Sequence, residues 1–157
     1  MPEFRFLRAE ALLTEPLAFG MDYETFLTKT DEEMRSSLPP VENLSFTLGA
    51  FIDGKLVASA GLFRSRMTKF RHGADLNAMY VAESARGKGI GKALVLDLLN
   101  RARKFEGLEM VSLTVTHTQV NAIAMYKSLG FETWGVSQGT LKVGDMYADF
   151  EHMTIRL

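Results

Sequence analysis

Between residues 90 and 105 the apolar positions Ile90, Leu94, Leu98, Ala102 and Phe105 recur at spacings of four and three. That period predicts a helix with one buried stripe. Just downstream the period changes to two: Leu113 and Val115 alternate with Ser112, Thr114 and Thr116, which predicts a strand over 110–117. Residues 46–52 and 55–65 are strand-like, and the Asp53-Gly54 pair between them is a two-residue hairpin signal. Residues 74–81 form a further strand that ends in Met79-Tyr80-Val81. Near the start, residues 4–7 alternate apolar and basic side chains and predict a first strand. Residues 15–38 are helical with breaks. Thr30-Asp31-Glu32-Glu33 matches a capping box, and Pro39-Pro40 ends that helix near Leu38. A short helix over 121–129 is stopped by Gly130. Two last strands, 131–136 and 146–157, are joined by a glycine-rich stretch over 135–145. Hairpins followed by alternating strands and helices predict an α+β or α/β layer structure on a central mixed sheet, in one domain over 1–157.

Composition narrows the classes. With 46 % hydrophobic and 24 % charged residues in 157, the chain reads as an ordinary globular protein. No apolar run approaches the roughly 18 residues that cross a bilayer, so no membrane partner is expected. Cysteine is absent, which excludes disulfides, thiolate metal sites and an acyl-cysteine intermediate and fits a cytoplasmic setting. His72, His117 and His152 are too scattered for a metal site. A net charge of −1 argues against an extended nucleic-acid surface. The charge is unevenly spread, however. Residues 1–45 carry nine acids against four bases, and residues 62–104 carry ten bases against three acids. The basic part suits phosphates, and the acidic part suits a cationic amine.

The chemistry concentrates at Arg86-Gly87-Lys88-Gly89-Ile90-Gly91, between a strand and a helix, with Lys92 next to it. Three glycines let the backbone turn sharply and approach a ligand, and the first amides of a helix lack intrahelical partners and favour an anion. A phosphate loop of the Gly-x-x-x-x-Gly-Lys-Ser/Thr kind fails here, because Arg86 stands at its first glycine and Ala93 at its hydroxyl. A dinucleotide Gly-x-Gly-x-x-Gly fails as well, its third glycine falling on Lys92 or Leu94.

What fits is Arg-x-x-Gly-x-Gly, followed by Asn121-x-x-Ala124-x-Tyr126-x-x-x-Gly130-Phe131 and a last strand through Tyr147 to Met153. In these motifs residues 44–157 resemble the GNAT superfamily of N-acetyltransferases, the amino-terminal third resembling it by pattern alone. The resemblance implies a mixed, mostly antiparallel sheet of six to seven strands flanked by about four helices, with splayed strands forming a coenzyme A cleft. It implies acetyl-CoA as cosubstrate, no metal, and direct acetyl transfer to a primary amine of a small molecule, peptide or protein. A homodimer is compatible with it. A non-catalytic acyl-CoA-binding or regulatory domain is the alternative. By the same resemblance the donor lies on Met79, Tyr80, Val81, Arg86, Gly87, Lys88, Gly89, Ile90, Gly91, Lys92, Asn121 and Tyr126. Tyr126 stands at the family's general acid, or is an aromatic whose hydroxyl only hydrogen-bonds the sulfur. Asn121 contacts the donor, caps its helix, or does both. Some relatives have a glutamate where Asn77 stands, so Asn77 positions a water rather than taking the proton. Asp75, Asp22, Glu32, Glu33 and His117 are the other candidate bases.

Overall fold

The computed structural model describes residues 1–38 and 45–157. The expected stop at Pro39-Pro40 lies outside the described residues. Helices α1 (Pro2–Thr14), α2 (Tyr23–Leu27) and α3 (Asp31–Ser37) precede the sheet. Then follow β1 (Phe46–Ile52), β2 (Lys55–Arg64), β3 (Gly73–Val81), α4 (Ile90–Ala102), β4 (Met110–Thr116), α5 (Val120–Ser128), β5 (Glu132–Val143) and β6 (Met146–Arg156). The six strands form one sheet in the order β1-β2-β3-β4-β6-β5, antiparallel except between β3 and β4. This is a mixed α/β fold with a mostly antiparallel sheet, as the sequence predicts.

The expected strand over residues 4–7 is instead part of α1. Four alternating residues are outweighed by a helical repeat that runs on through Leu12. Leu7, Ala11 and Leu12 are buried on one side, while Phe6, which a strand would pair, is 77 % exposed. A proline in the first turn suits a helix start. The capping box forms as predicted: Glu33 N–H donates to the Thr30 hydroxyl, and Thr30 N–H donates to the Glu33 carboxylate. The glycine-rich connection over 135–145 also differs, because β5 continues to Val143 and turns at Gly144-Asp145. Gly135 and Gly139 lie where the β5–β6 register shifts, so they mark irregularities in the pairing and not its end.

One core lies between the sheet and α4, where Leu94, Val95, Leu98, Leu99 and Ala102 meet Ala58, Ala60, Leu62, Ala74 and Leu76. Tyr126 and Phe131 close it at α5, with their rings edge to face at 5.6 Å. A second cluster brings Leu7 and Ala11 of α1 onto Tyr80, Ala82 and Ala85. Strand β3 therefore serves both cores, and a bulge makes this work. Ser59 pairs with Tyr80 and Gly61 with Asn77, so Ala60 faces two residues, and Ala78 takes φ 50°. The extra residue inverts the alternation: Leu76 points to the first core and Tyr80 to the second.

Candidate functional site

Strands β3 and β4 pair over only three positions, from Gly73 with Met110 to Asp75 with Ser112. Beyond them β3 stays on β2 and β4 stays on β6, so the two edges separate. The gap opens into a cleft of roughly 1440 Å³. Ala82 N–H donates to the Val57 carbonyl on β2. By strand alternation the N–H groups of Val81 and Met79 point the other way, into the gap. A bulge beside a splayed pair thus presents backbone donors to whatever enters.

The glycine turn lies at one end of this cleft. Gly87 and Gly89 have φ of +74° and +75°, and a Cβ on either would meet nothing within 4 Å. Open space with a left-handed backbone is what a close ligand approach requires. Gly89 caps α4 without any side-chain hydrogen bond, and the first helical bond is from Ala93 N–H to the Gly89 carbonyl. The amides of Ile90, Gly91 and Lys92 therefore lack helical partners, and all three residues line the cleft. At Gly91 a Cβ would come within 3.1 Å of Met79 Cε and 3.2 Å of Val81 Cγ2, so glycine lets α4 begin against the β3 edge.

The basic side chains divide. Lys92 lines the cleft, whereas Lys88 lies outside it and donates from Nζ to the Ser84 carbonyl. Arg86 lines the cleft but is held inward: Nε donates to the Val81 carbonyl, Nη1 pairs with Glu15 at 3.0 Å, and the guanidinium sits over the Tyr80 ring. Glu15 also accepts from the Gln119 side chain, which ties the turn to the start of α5.

Tyr126, buried on α5, lines the same cleft, and burial pushes its phenol well above the ordinary value. Asn121 lines it too, but Gln119 takes the helix-cap position, so Asn121 is not the cap. Asn77 and Asp75 lie on the β3 wall, and partial burial raises the Asp75 carboxyl. The remaining candidate bases stand elsewhere. Asp22 caps α2 through Thr25, Glu33 is in the capping box, and these bonds pull both carboxyls down. His117 Nδ1 accepts the Asp149 N–H and ties β4 to β6 outside the cleft. Glu32, exposed on α3, does not line it.

Two polar cleft residues, His152 and Arg8, were not anticipated as site residues. His152 is held through both ring nitrogens, by Thr114 at 3.2 Å and Ser137 at 2.7 Å, and stacks on Trp134 at 5.2 Å. Arg8 enters from α1, its guanidinium over the Phe19 ring at 4.5 Å. Alternation on β6 places His152 beside Thr114, but only the register between β4 and β6 reveals it. Phe4 and Arg8 share a helix face, a signal hidden when residues 4–7 are taken as a strand.

The family model for the acetyltransferase (GNAT) family matches residues 10–131. The mycothiol acetyltransferase of Salinispora tropica is 30 % identical over 110 residues, which are 68 % of this chain and 35 % of that protein. The chain spans 16–35 % of the length of the curated relatives it matches. A GCN5-related N-acetyltransferase from Kribbella flavida superposes with a TM-score of 0.79 at 28 % identity, covering 99 % of this chain and 89 % of that one. A phosphinothricin acetyltransferase from Sinorhizobium meliloti, solved with acetyl-CoA, gives 0.73 at 26 % identity over 82 % and 70 % of the two chains. With the motifs, the splayed sheet and these matches in agreement, the chain belongs to the GNAT acetyltransferase family.

Proposed function

We propose that the protein transfers an acetyl group from acetyl-CoA directly to a primary amine of a second substrate bound in the same cleft. The observation that carries this reading is the meeting of three parts in one cleft: the uncapped glycine turn, the open β3 edge and Tyr126. The turn fits a pyrophosphate, since Gly87 and Gly89 leave open space and the α4 amides lack partners. Asn121 and the backbone of Met79, Tyr80 and Val81 line the path from the turn towards Tyr126. Acetyl-CoA supplies an activated acetyl thioester there.

The chain's own groups then divide the work. The N–H groups of Met79 and Val81 offer hydrogen bonds to the carbonyl oxygen as negative charge develops on it. As the new carbon–nitrogen bond forms and the carbon–sulfur bond breaks, Tyr126 gives its proton to the departing thiolate sulfur. Burial keeps the Tyr126 hydroxyl protonated, so it stands as a hydrogen-bond and proton donor to the sulfur as charge develops on it. Asn77 holds a water that receives the proton shed by the amine, with Asp75 on the same wall.

Thiol release from acetyl-CoA over a panel of amines, with mass spectrometry of the products, tests the proposal. Amine-dependent thiol release with an acetylated product is expected. Tight coenzyme A binding without transfer to any amine would favour the non-catalytic acyl-CoA-binding alternative.

A further inference from the structure

The amino-terminal third was expected to draw a cationic amine through its acids, but four of those acids are engaged elsewhere. Glu10 accepts from the Tyr80 hydroxyl and the Glu83 amide, Asp22 and Glu33 cap helices, and Glu15 is bound to Arg86 and Gln119. Among the described residues, the charged side chains that this part of the chain contributes to the cleft are Arg8, Lys29 and the already paired Glu15. Charge on the α1 side of the cleft is therefore positive.

Arg8 is the unusual one. Its Nη1 is buried without a hydrogen-bond partner, and burial lowers its pKa. Arg5, three residues earlier, shows the contrast. Its guanidinium donates to the Lys29 and Leu27 carbonyls and meets Asp31 at 3.4 Å. A half-buried guanidinium with one buried, unsatisfied donor costs folding free energy, only part of which the Phe19 ring returns. An arginine's planar fork is matched by a carboxylate or phosphate. Asp75 stands on the β3 wall of the same cleft, and none of the ion pairs among the described residues joins it to Arg8.

We propose that Arg8 is the specificity-determining residue that receives an anionic group of the acceptor, so that the substrate is an amine that also carries a carboxylate or phosphate. The amine half of this statement rests on the acetyltransferase reading, whereas the anion half does not. In the bound state the anion pairs with the part of the Arg8 guanidinium that is open to the cleft, and the amine end lies towards Asp75 and Asn77.

The test compares amines that differ only in the anion: α-amino acids against their α-carboxamides, and O-phosphoethanolamine against ethanolamine. The wild-type protein is expected to favour the anionic member of one pair by about 30-fold or more in kcat/KM. The favoured pair identifies the anion as carboxylate or phosphate. In Arg8→Gln that preference is expected to fall below about threefold, the loss falling on the anionic member of the pair. Arg8→Met is expected to melt no lower than wild type, since it removes an uncompensated buried charge; a purely structural arginine would lower it. No preference for either pair in the wild type, or a preference surviving in Arg8→Gln, overturns the proposal. If no amine is acetylated, the acetyltransferase reading fails, and Arg8 is then tested by thermal shift of the coenzyme A-bound protein. N-acetylglycine and inorganic phosphate are the probes, with N-acetylglycinamide as control. Stabilisation by either anion that Arg8→Gln loses supports the anion site; equal responses in the two proteins, or none, overturn it.

Discussion

Placing a carboxylate in the glycine turn separates backbone strain from phosphate binding. In Gly89→Ala the new Cβ meets nothing within 4 Å, so its cost is conformational, about 1 kcal/mol for a left-handed residue at φ +75°. Gly54, in the β1–β2 turn at φ +78° and equally open, carries the same strain away from the cleft. Gly54→Ala and Gly89→Ala should therefore lose similar stability, and only the latter touches the site. Gly89→Asp adds a negative charge where the α4 amides await an anion. A carboxylate about 4 Å from one phosphate charge is repelled by about 1 kcal/mol in bulk water and about 4 kcal/mol at an effective dielectric constant near 20. Two pyrophosphate charges raise the cost to at least about 2 kcal/mol, about 30-fold in Kd. Titration calorimetry with coenzyme A should show this loss relative to Gly89→Ala, shrinking as salt is added. Equal affinity of Gly89→Asp and Gly89→Ala would refute the phosphate assignment.

Tyr126→Phe should lower kcat by about 100-fold or more and change the acetyl-CoA Kd by less than about threefold, as stopped-flow and calorimetry would measure. Because burial raises the Tyr126 phenol, the folded protein holds that proton more tightly than the unfolded chain. Stability should then fall as pH rises above about 10 in the wild type, and less so in Tyr126→Phe, as denaturation at pH 8 and 10.5 would record. Asp75 is also raised by burial, so its charged form weighs on the fold above the carboxylate range. Asp75→Asn should melt higher than wild type at pH 7.5, the gain shrinking at pH 4; a gain that grows with acid would reverse the sign. Leu98→Ala, at a fully buried α4 position, should cost about 2–5 kcal/mol by urea denaturation while the folded fraction keeps coenzyme A affinity.

Local signals carried most of the fold. The 3.6-residue stripe through Leu94 and Leu98, the Asp53-Gly54 turn and the Thr30 capping box each work within a few residues of chain, and each appears as predicted. The misplaced elements are those decided by tertiary context. Residues 4–7 alternate like a strand, yet Leu7 and Ala11 are drawn into a helix by Tyr80, far away in sequence. The Ala78 bulge left no mark either, because an alanine at φ 50° is imposed by the register on β2 and not by its own preference. In the site, the glycines were legible because backbone freedom is written in residue type. Arg86 was legible as a cation, but not its engagement by Glu15 and the Val81 carbonyl.

The bulge also explains how one strand serves both halves of the site. Without the extra residue at Ala78, Tyr80 would fall on the α4 side and Val81 on the α1 side, inverting both cores. With it, Asn77 and Asp75 line the cleft from the strand's first half, while Met79 and Val81 meet Gly91 at the start of α4. Tyr80 turns to α1, where its hydroxyl binds Glu10 and Thr14 and its ring supports Phe19 at 6.3 Å. Phe19 in turn lies under Arg8. A single inserted residue thus links the glycine turn, the open amides and Arg8 through direct packing. A variant that restores regular pairing on β3 should therefore damage donor and acceptor binding together, and not one alone.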